Sequence, residues 1–273
     1  KGHQSLPALP ELITRLRDIL HTEGISVSKV ADTIKKDPSL AAQILKIVNS
    51  AYYSIPREVK DINLAVAYLG INEVYRISIS VFVLNALSSG DTGAFHRIWY
   101  HSNYTALAAK YLSRQFEPLL NSGELWVHAI LHDIGKLVYL KFFPQHYRIL
   151  ESYCRKTGSL FHQAERYFDL PSSAWLGTLL CEHWGLPEDI TAVCRFHSLP
   201  DLETIDVHSA LGPTQRIITV ANLMSTLAAE DLDKDVQKSI SHAVQKSLQC
   251  TESEFLVLMG TIYEIRIELD KYI

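Results

Sequence analysis

Apolar side chains along this chain recur every three to four residues and almost nowhere alternate with polar ones. That spacing lines up one face of a helix, whereas a half-buried strand needs a period of two. Leu6-Pro7-Ala8-Leu9-Pro10 reads as an extended lead-in to a helix carrying Leu12, Ile13, Leu16, Ile19 and Leu20. A second stripe, Val30, Ala31 and Ile34, follows Ser26-Val27-Ser28, where a hydroxyl suits an N-cap. Asp37-Pro38 stops that helix and starts the next. The carboxylate caps, the proline's fixed φ suits the first turn, and Leu40, Ile44, Ile47 and Val48 continue the stripe. A short helix over residues 61–69 ends at Gly70, and another runs from about Asn72 to Leu87. The pattern thus predicts about five short helices in the first ninety residues, none stable alone.

The run Ser88-Ser89-Gly90-Asp91-Thr92-Gly93 interrupts this periodicity and marks a junction between residues 1–90 and 94–273. Beyond it, 94–116 reads as one long helix and 123–140 as a second, with shorter ones over 144–156, 159–168 and 171–184. Pro187, followed by Glu188 and Asp189 in a first turn, starts another. Gly212-Pro213 opens a helix to about residue 229, and two more reach the C-terminus. The fold class is therefore all-α: a bundle of short helices packed on a larger helical domain.

Composition narrows the function classes. The chain is 47% hydrophobic with a net charge of −4. Residues 1–90 hold ten basic and eight acidic residues, a net of +2, and the remainder a net of −6. Neither figure points to nucleic acid as a partner. Cys154, Cys181, Cys194 and Cys250 form no C-x-x-C pair and read as buried thiols of a reducing compartment. No basic leader precedes an apolar run, and no run of about eighteen apolar residues occurs. A cytoplasmic protein with no membrane contact is expected.

Leu131-His132-Asp133-Ile134-Gly135-Lys136 is the sharpest local feature. On a continuous helix neighbouring His and Asp diverge by about 100°, so both reach one ion only if it sits in the wedge between them. Imidazole plus carboxylate suits Zn, Mn or Fe. The same doublet also serves as a hydrogen-bonded core pair, and its apolar flanks require a partner for any buried charge. His101 in the preceding long helix and Asn222 in Val220-Ala221-Asn222-Leu223 are further candidates. His128 and His132, at i and i+4, share a helix face, but no third ligand is near them in sequence and core packing explains the pair as well. Lys136 suits either a phosphate contact or a solvated rim, and His197 either the site or a loop surface.

Residues 26–53 have a helix–turn–helix outline, which leaves a DNA-binding regulator as one alternative. Lys29, Lys35, Lys36 and Lys46 are few, however, with no Arg to read guanine, and two packed helices give the same pattern. Asn49-Ser50-Ala51-Tyr52-Tyr53 is either a C-cap followed by aromatic packing or, through Asn49, Tyr52 and Tyr53, a contact surface for a partner.

These segments together resemble the HDOD proteins, bacterial signalling relatives of the His-Asp (HD) metal-dependent phosphohydrolases, over nearly the whole chain. The first half carries the resemblance in Leu6–Pro10 as spelled above, Asp37-Pro38-Ser39-Leu40, Val48 through Tyr53, and Ala67-Tyr68-Leu69-Gly70. The second half carries it in Trp99 through Ser102, His132 through Lys136, and Trp184-Gly185-Leu186-Pro187. The resemblance places HD-type ligands on His101, His132, Asp133 and Asn222, where active relatives have Asp at the last position. In the binuclear HD-GYP branch, which cleaves cyclic di-GMP, further His ligands are expected. Here Ser173 stands for one, Phe196-His197 keeps one of a pair, and Ser198-Leu199-Pro200-Asp201 replaces Gly-Tyr-Pro.

Asn offers a carbonyl oxygen but no charge, so this set brings one negative charge to a divalent ion. Phosphodiester cleavage usually wants a second metal about 4 Å away. The resemblance therefore implies a catalytically inactive signalling module that contacts other signalling proteins. Its cleft would hold one Fe, Mn or Zn ion weakly, or a nucleotide or cyclic dinucleotide. The alternative enzyme reading is a metal-dependent phosphohydrolase with Lys136 as its catalytic cation.

Overall fold

The computed structural model describes residues 8–20, 26–50, 52–88 and 90–270. Leu6, Pro7 and Ala51, which belong to the motifs above, and Ser89 of the junction lie outside the described residues. Every regular element among the described residues is a helix, and the chain divides into two compact units between Leu87 and Ser88.

The first unit contains α1 (Glu11–Leu20), α2 (Val27–Ile34), α3 (Pro38–Val48), α4 (Ile62–Leu69) and α5 (Ile71–Leu87). Three of these starts are set by side chains. Ser26 Oγ accepts the Lys29 N–H at 3.2 Å, Asp37 Oδ1 the Leu40 N–H at 3.0 Å, and Asp61 Oδ1 the Asn63 N–H at 2.9 Å. Gly70, at φ 85°, takes the left-handed turn that ends α4. The next helix, α5, contacts α1, α3 and α4 and buries Val74, Ile77, Ile79, Val81 and Val83. Its buried Ser78 and Ser80 hydroxyls donate to the Val74 and Arg76 carbonyls, so neither is an unpaired polar group in the core. No single helix among the described residues is long and apolar enough to cross a membrane.

The segment after α3 is a clasp inside this unit. Asn49 Nδ2 donates to the Val59 carbonyl at 2.9 Å while its Oδ1 accepts the Val59 N–H at 2.8 Å. Tyr52 is buried with its ring edge-on to Tyr53, whose hydroxyl donates to buried Glu73 at 2.7 Å. Burial and the Glu73 carboxylate together hold the Tyr53 phenol well above its ordinary pKa. Of the three residues expected to form a partner surface, only Tyr52 is contradicted, because it is buried; Asn49 is exposed and Tyr53 half-buried. Asn49 and Tyr53 use these polar atoms for bonds within the unit. Asn49→Ala should cost the first unit about 1–2 kcal/mol, read as faster amide exchange over 45–60, because both bonds to the Val59 backbone are lost.

The second unit contains α6 (Thr92–Phe116), α7 (Ser122–Leu131), α8 (Ile134–Phe142), α9 (Pro144–Thr157), α10 (Phe161–Tyr167), α11 (Ser173–His183) and α12 (Glu188–Arg195). A 3-10 turn over Leu199–Glu203 leads to α13 (Gly212–Ala229), α14 (Lys234–Leu248) and α15 (Glu252–Leu269). Buried on nearly every face, α13 packs on α6, α7, α12, α14 and α15. Ala106, Ala108 and Ala109 of α6 are fully buried, short side chains that let neighbouring helices approach. Cys181 and Cys194 are buried with sulfurs 3.6 Å apart, whereas Cys154 and Cys250 are only half-buried.

One expectation fails where it matters most. The helix expected over 123–140 is two helices, with His132 and Asp133 in the break between them. Apolar spacing continues across the break, because both flanks face the same core, and so periodicity alone does not register a two-residue turn. Gly135 follows immediately and lies against α11. A Cβ there would stand 1.8 Å from the Ser173 carbonyl oxygen, so only glycine permits this approach.

A candidate metal centre in the second unit

The break changes how His132 and Asp133 relate. Asp133 sits at the N-cap of α8 but makes no capping bond, so its carboxylate is free to turn inward. His132 donates from Nδ1 to the Ala129 carbonyl at 2.6 Å, which leaves an Nε2 lone pair 3.4 Å from Asp133 Oδ2. The expected wedge between diverging side chains is thus replaced by direct convergence. His101 Nε2, from α6, lies 3.7 Å from the same oxygen, and ligand atoms of His101, His132 and Asp133 all lie within 4.8 Å of one another.

The remaining predicted residues also arrive here. Lys136 Nζ, one turn into α8, is 2.7 Å from Asp133 Oδ2. His197, which follows α12, places Nε2 3.3 Å from Asp133 Oδ1, with its Nδ1 bonded to the Cys194 carbonyl at 2.9 Å. Asn222, on α13, meets His101 Nε2 through Oδ1 at 2.8 Å. Six sequence candidates therefore form one cluster. His128 does not join it; its Nε2 faces Asp189 of α12 at 3.2 Å.

Burial by itself would push the Asp133 carboxyl up. The Lys136 ammonium, with the His132 and His197 rings close by, overcomes it and holds the group well below the usual carboxylate range. Burial would lower the Lys136 ammonium, but Asp133 raises it. His101 is lowered to about 3, chiefly by burial and only partly offset by Asp133. Its folded pKa lies below its ordinary 6.5, so its contribution to stability is complete above pH 6.5 and is lost as pH falls. Stability should therefore decline below about pH 6.5 at up to about 1.4 kcal/mol per pH unit from this group. In His101→Gln, urea titrations between pH 5 and 7 should lack that slope.

Do these residues fit a divalent ion? His132 Nε2 and Asp133 Oδ1 are buried with no hydrogen-bond partner, which favours a cation. Against that, the one carboxylate among the HD-type ligands is already neutralised by an ammonium, and position 222 contributes no charge. A cluster that is electrically neutral before the metal arrives lacks the negative charge that a hard cation requires. The residues do not fit a tightly held divalent ion.

A cavity of about 850 Å³ opens onto the cluster, lined by His101, Asp133, Lys136, His197 and Asn222 at its base and by half-exposed Trp175 nearer its mouth. Residues that sequence reasoning passed over also build it. Glu165 is buried in its wall and accepts the Ser173 N–H at 2.7 Å; burial pushes its carboxyl up against that bond. Ser198-Leu199-Pro200-Asp201, read above only as a lost signature, is a capping box. Asp201 Oδ2 accepts the His197 and Ser198 N–H groups at 3.2 and 2.8 Å and so fixes the loop that carries His197. The S-x-x-D spacing was its available signal.

Comparison with known proteins places the fold. The HDOD domain model matches residues 6–200. A Treponema pallidum protein of no described function is 23% identical over 192 residues, which is 70% of this chain but only 37% of that protein. Among solved structures, an HDOD domain protein of unknown function from Geobacter sulfurreducens superposes with a TM-score of 0.71 at 24% identity, covering 98% of this chain and 93% of its own. A Shewanella amazonensis protein named for metal-dependent phosphohydrolase activity gives 0.66 at 21% identity over 96% and 92%. One from Marinobacter aquaeolei, named for signal transduction, gives 0.70 at 20% identity over 97% of this chain and 58% of its own.

Proposed function

The chain belongs to the HDOD domain family, and from that membership and the charge of its central cluster we propose that it is a bacterial, cytoplasmic signalling module. It acts through contacts with other signalling proteins and does not hydrolyse phosphodiesters. One observation carries the reading: Lys136 Nζ stands 2.7 Å from Asp133, so the carboxylate that would hold a metal already has its counter-ion. Activating water at neutral pH takes a metal held firmly enough to lower the water's pKa. With Asn at position 222, any Fe, Mn or Zn ion is held weakly at best.

The test is direct. Protein purified without chelators is supplied with Mn²⁺, Fe²⁺ or Zn²⁺ and assayed on bis-p-nitrophenyl phosphate, nucleotides and cyclic di-GMP. No turnover above the His132→Ala variant is expected. Turnover that disappears with His132 would establish the phosphohydrolase instead.

A second reading follows from the cavity. Arg155, Arg166 and Trp175 line it together with Lys136, a mixture of cations and an aromatic face suited to a nucleotide held as a ligand rather than a substrate. Calorimetric titration with nucleotides would show saturable binding, lost in Arg166→Ala and Trp175→Ala. Heats indistinguishable from dilution remove it.

A further inference from the structure

Asn222 bridges two elements. Its Nδ2 donates to the His197 carbonyl at 2.8 Å, and its Oδ1 lies 2.8 Å from His101 Nε2. The first bond settles the amide's orientation, since a flipped amide would press its oxygen against the carbonyl oxygen of His197. With Oδ1 an acceptor, His101 Nε2 has to be the donor. If that nitrogen carried a lone pair, two acceptors would face each other at 2.8 Å, and the Thr105 hydroxyl, at 3.5 Å, is too distant to compensate.

We propose that Asn222 is a positioning residue that fixes the ring proton of His101 on Nε2 and thereby keeps this histidine out of any metal-ligand set. A nitrogen that carries a proton has no lone pair to give an ion, so the nitrogen that lies among the other ligand atoms is closed. His132 differs: its Nδ1 carries the proton and its Nε2 stays open. The effect of Asn222 is therefore more than a missing charge. Its amide also anchors the loop after α12, because the same side chain holds the His197 carbonyl, and an aspartate cannot donate there.

This deepens the proposed function and rests on the same cluster, but it can fail separately. A protein with Nε2-protonated His101 that nonetheless hydrolyses phosphodiesters would defeat the functional reading and leave this one standing. The first measurement is long-range ¹H–¹⁵N correlation NMR on histidine-labelled protein at pH 7.5, with His101 assigned by its loss in His101→Gln. A protonated Nε2 is expected for His101 and a protonated Nδ1 for His132. A His101 proton on Nδ1 overturns the proposal.

The second measurement titrates Mn²⁺ by electron paramagnetic resonance into the parent chain, Asn222→Asp and Asn222→Ala. Asn222→Asp should bind Mn²⁺ about 10–100-fold more tightly than the parent. Asn222→Ala, which frees His101 without adding charge, should fall between them. Stoichiometric Mn²⁺ on the parent, or a folded Asn222→Asp variant with unchanged affinity, overturns it. If Asn222→Asp fails to fold, the NMR result on the parent chain decides.

Discussion

Gly135→Ala should destabilise the second unit by about 3 kcal/mol or more. The added Cβ would lie 1.8 Å from the Ser173 carbonyl oxygen, 2.6 Å from its carbon and 3.0 Å from the Gly177 nitrogen. All three are backbone atoms on or beside α11 that cannot rotate away. The two helices must separate by more than an ångström, and α8 takes Asp133 and Lys136 with it. Gly177→Ala is the graded control: there the nearest atom is the Ile134 Cγ2 methyl at 2.9 Å, which can yield, so a smaller loss is expected. Tryptophan fluorescence in urea suits the measurement, because Trp99, Trp126, Trp175 and Trp184 all lie in the second unit. A loss below about 1 kcal/mol for Gly135→Ala would mean that the close crossing of α8 and α11 is wrong.

Lys136→Met should cost about 3–5 kcal/mol at neutral pH, for an electrostatic reason rather than a steric one. Methionine retains most of the side chain's length, so packing changes little. What disappears is the cation on Asp133, whose side chain is only 1% exposed and has one oxygen with no hydrogen-bond partner. A buried carboxylate without its counter-ion is driven toward the protonated form. The sign follows from linkage. In the parent the Asp133 pKa is depressed, so its stabilisation is present above the unfolded value and lost as pH falls through the folded one. In Lys136→Met the folded pKa rises instead, and acid relieves the penalty by neutralising the group. The difference between parent and variant should therefore be greatest near pH 7 and shrink toward pH 5. A gap that is the same at both pH values would show that Lys136 acts by packing. Millimolar Mn²⁺ should also recover part of the lost stability, because the ion takes the place of the ammonium on Asp133.

Much of the architecture was legible in local chemistry. Ser26, Asp37 and Asp61 cap because short polar side chains reach the free N–H groups of a first turn, an interaction spanning two or three residues. Gly70 ends α4 because the required φ is positive. The break at His132–Asp133 was not legible, since the apolar flanks keep helical phase through it, and nor was the close approach of the Ser173 carbonyl of α11 to Gly135 just after it. Tyr52 is a similar case: a tyrosine in a polar stretch suggests exposure, and its burial depends on neighbours that periodicity does not identify.

By itself, then, the sequence determined the all-α class and the side chains from which a site could be assembled, because helix period, caps and breakers act over a few bonds. Tertiary packing alone decided what those side chains do to one another: Lys136 neutralises Asp133, and Asn222, 121 positions from His101, selects which of its nitrogens carries the proton. Charge compensation and tautomer depend on distances of a few ångströms between helices, and those distances are set by how whole helices pack rather than by any local run of residues.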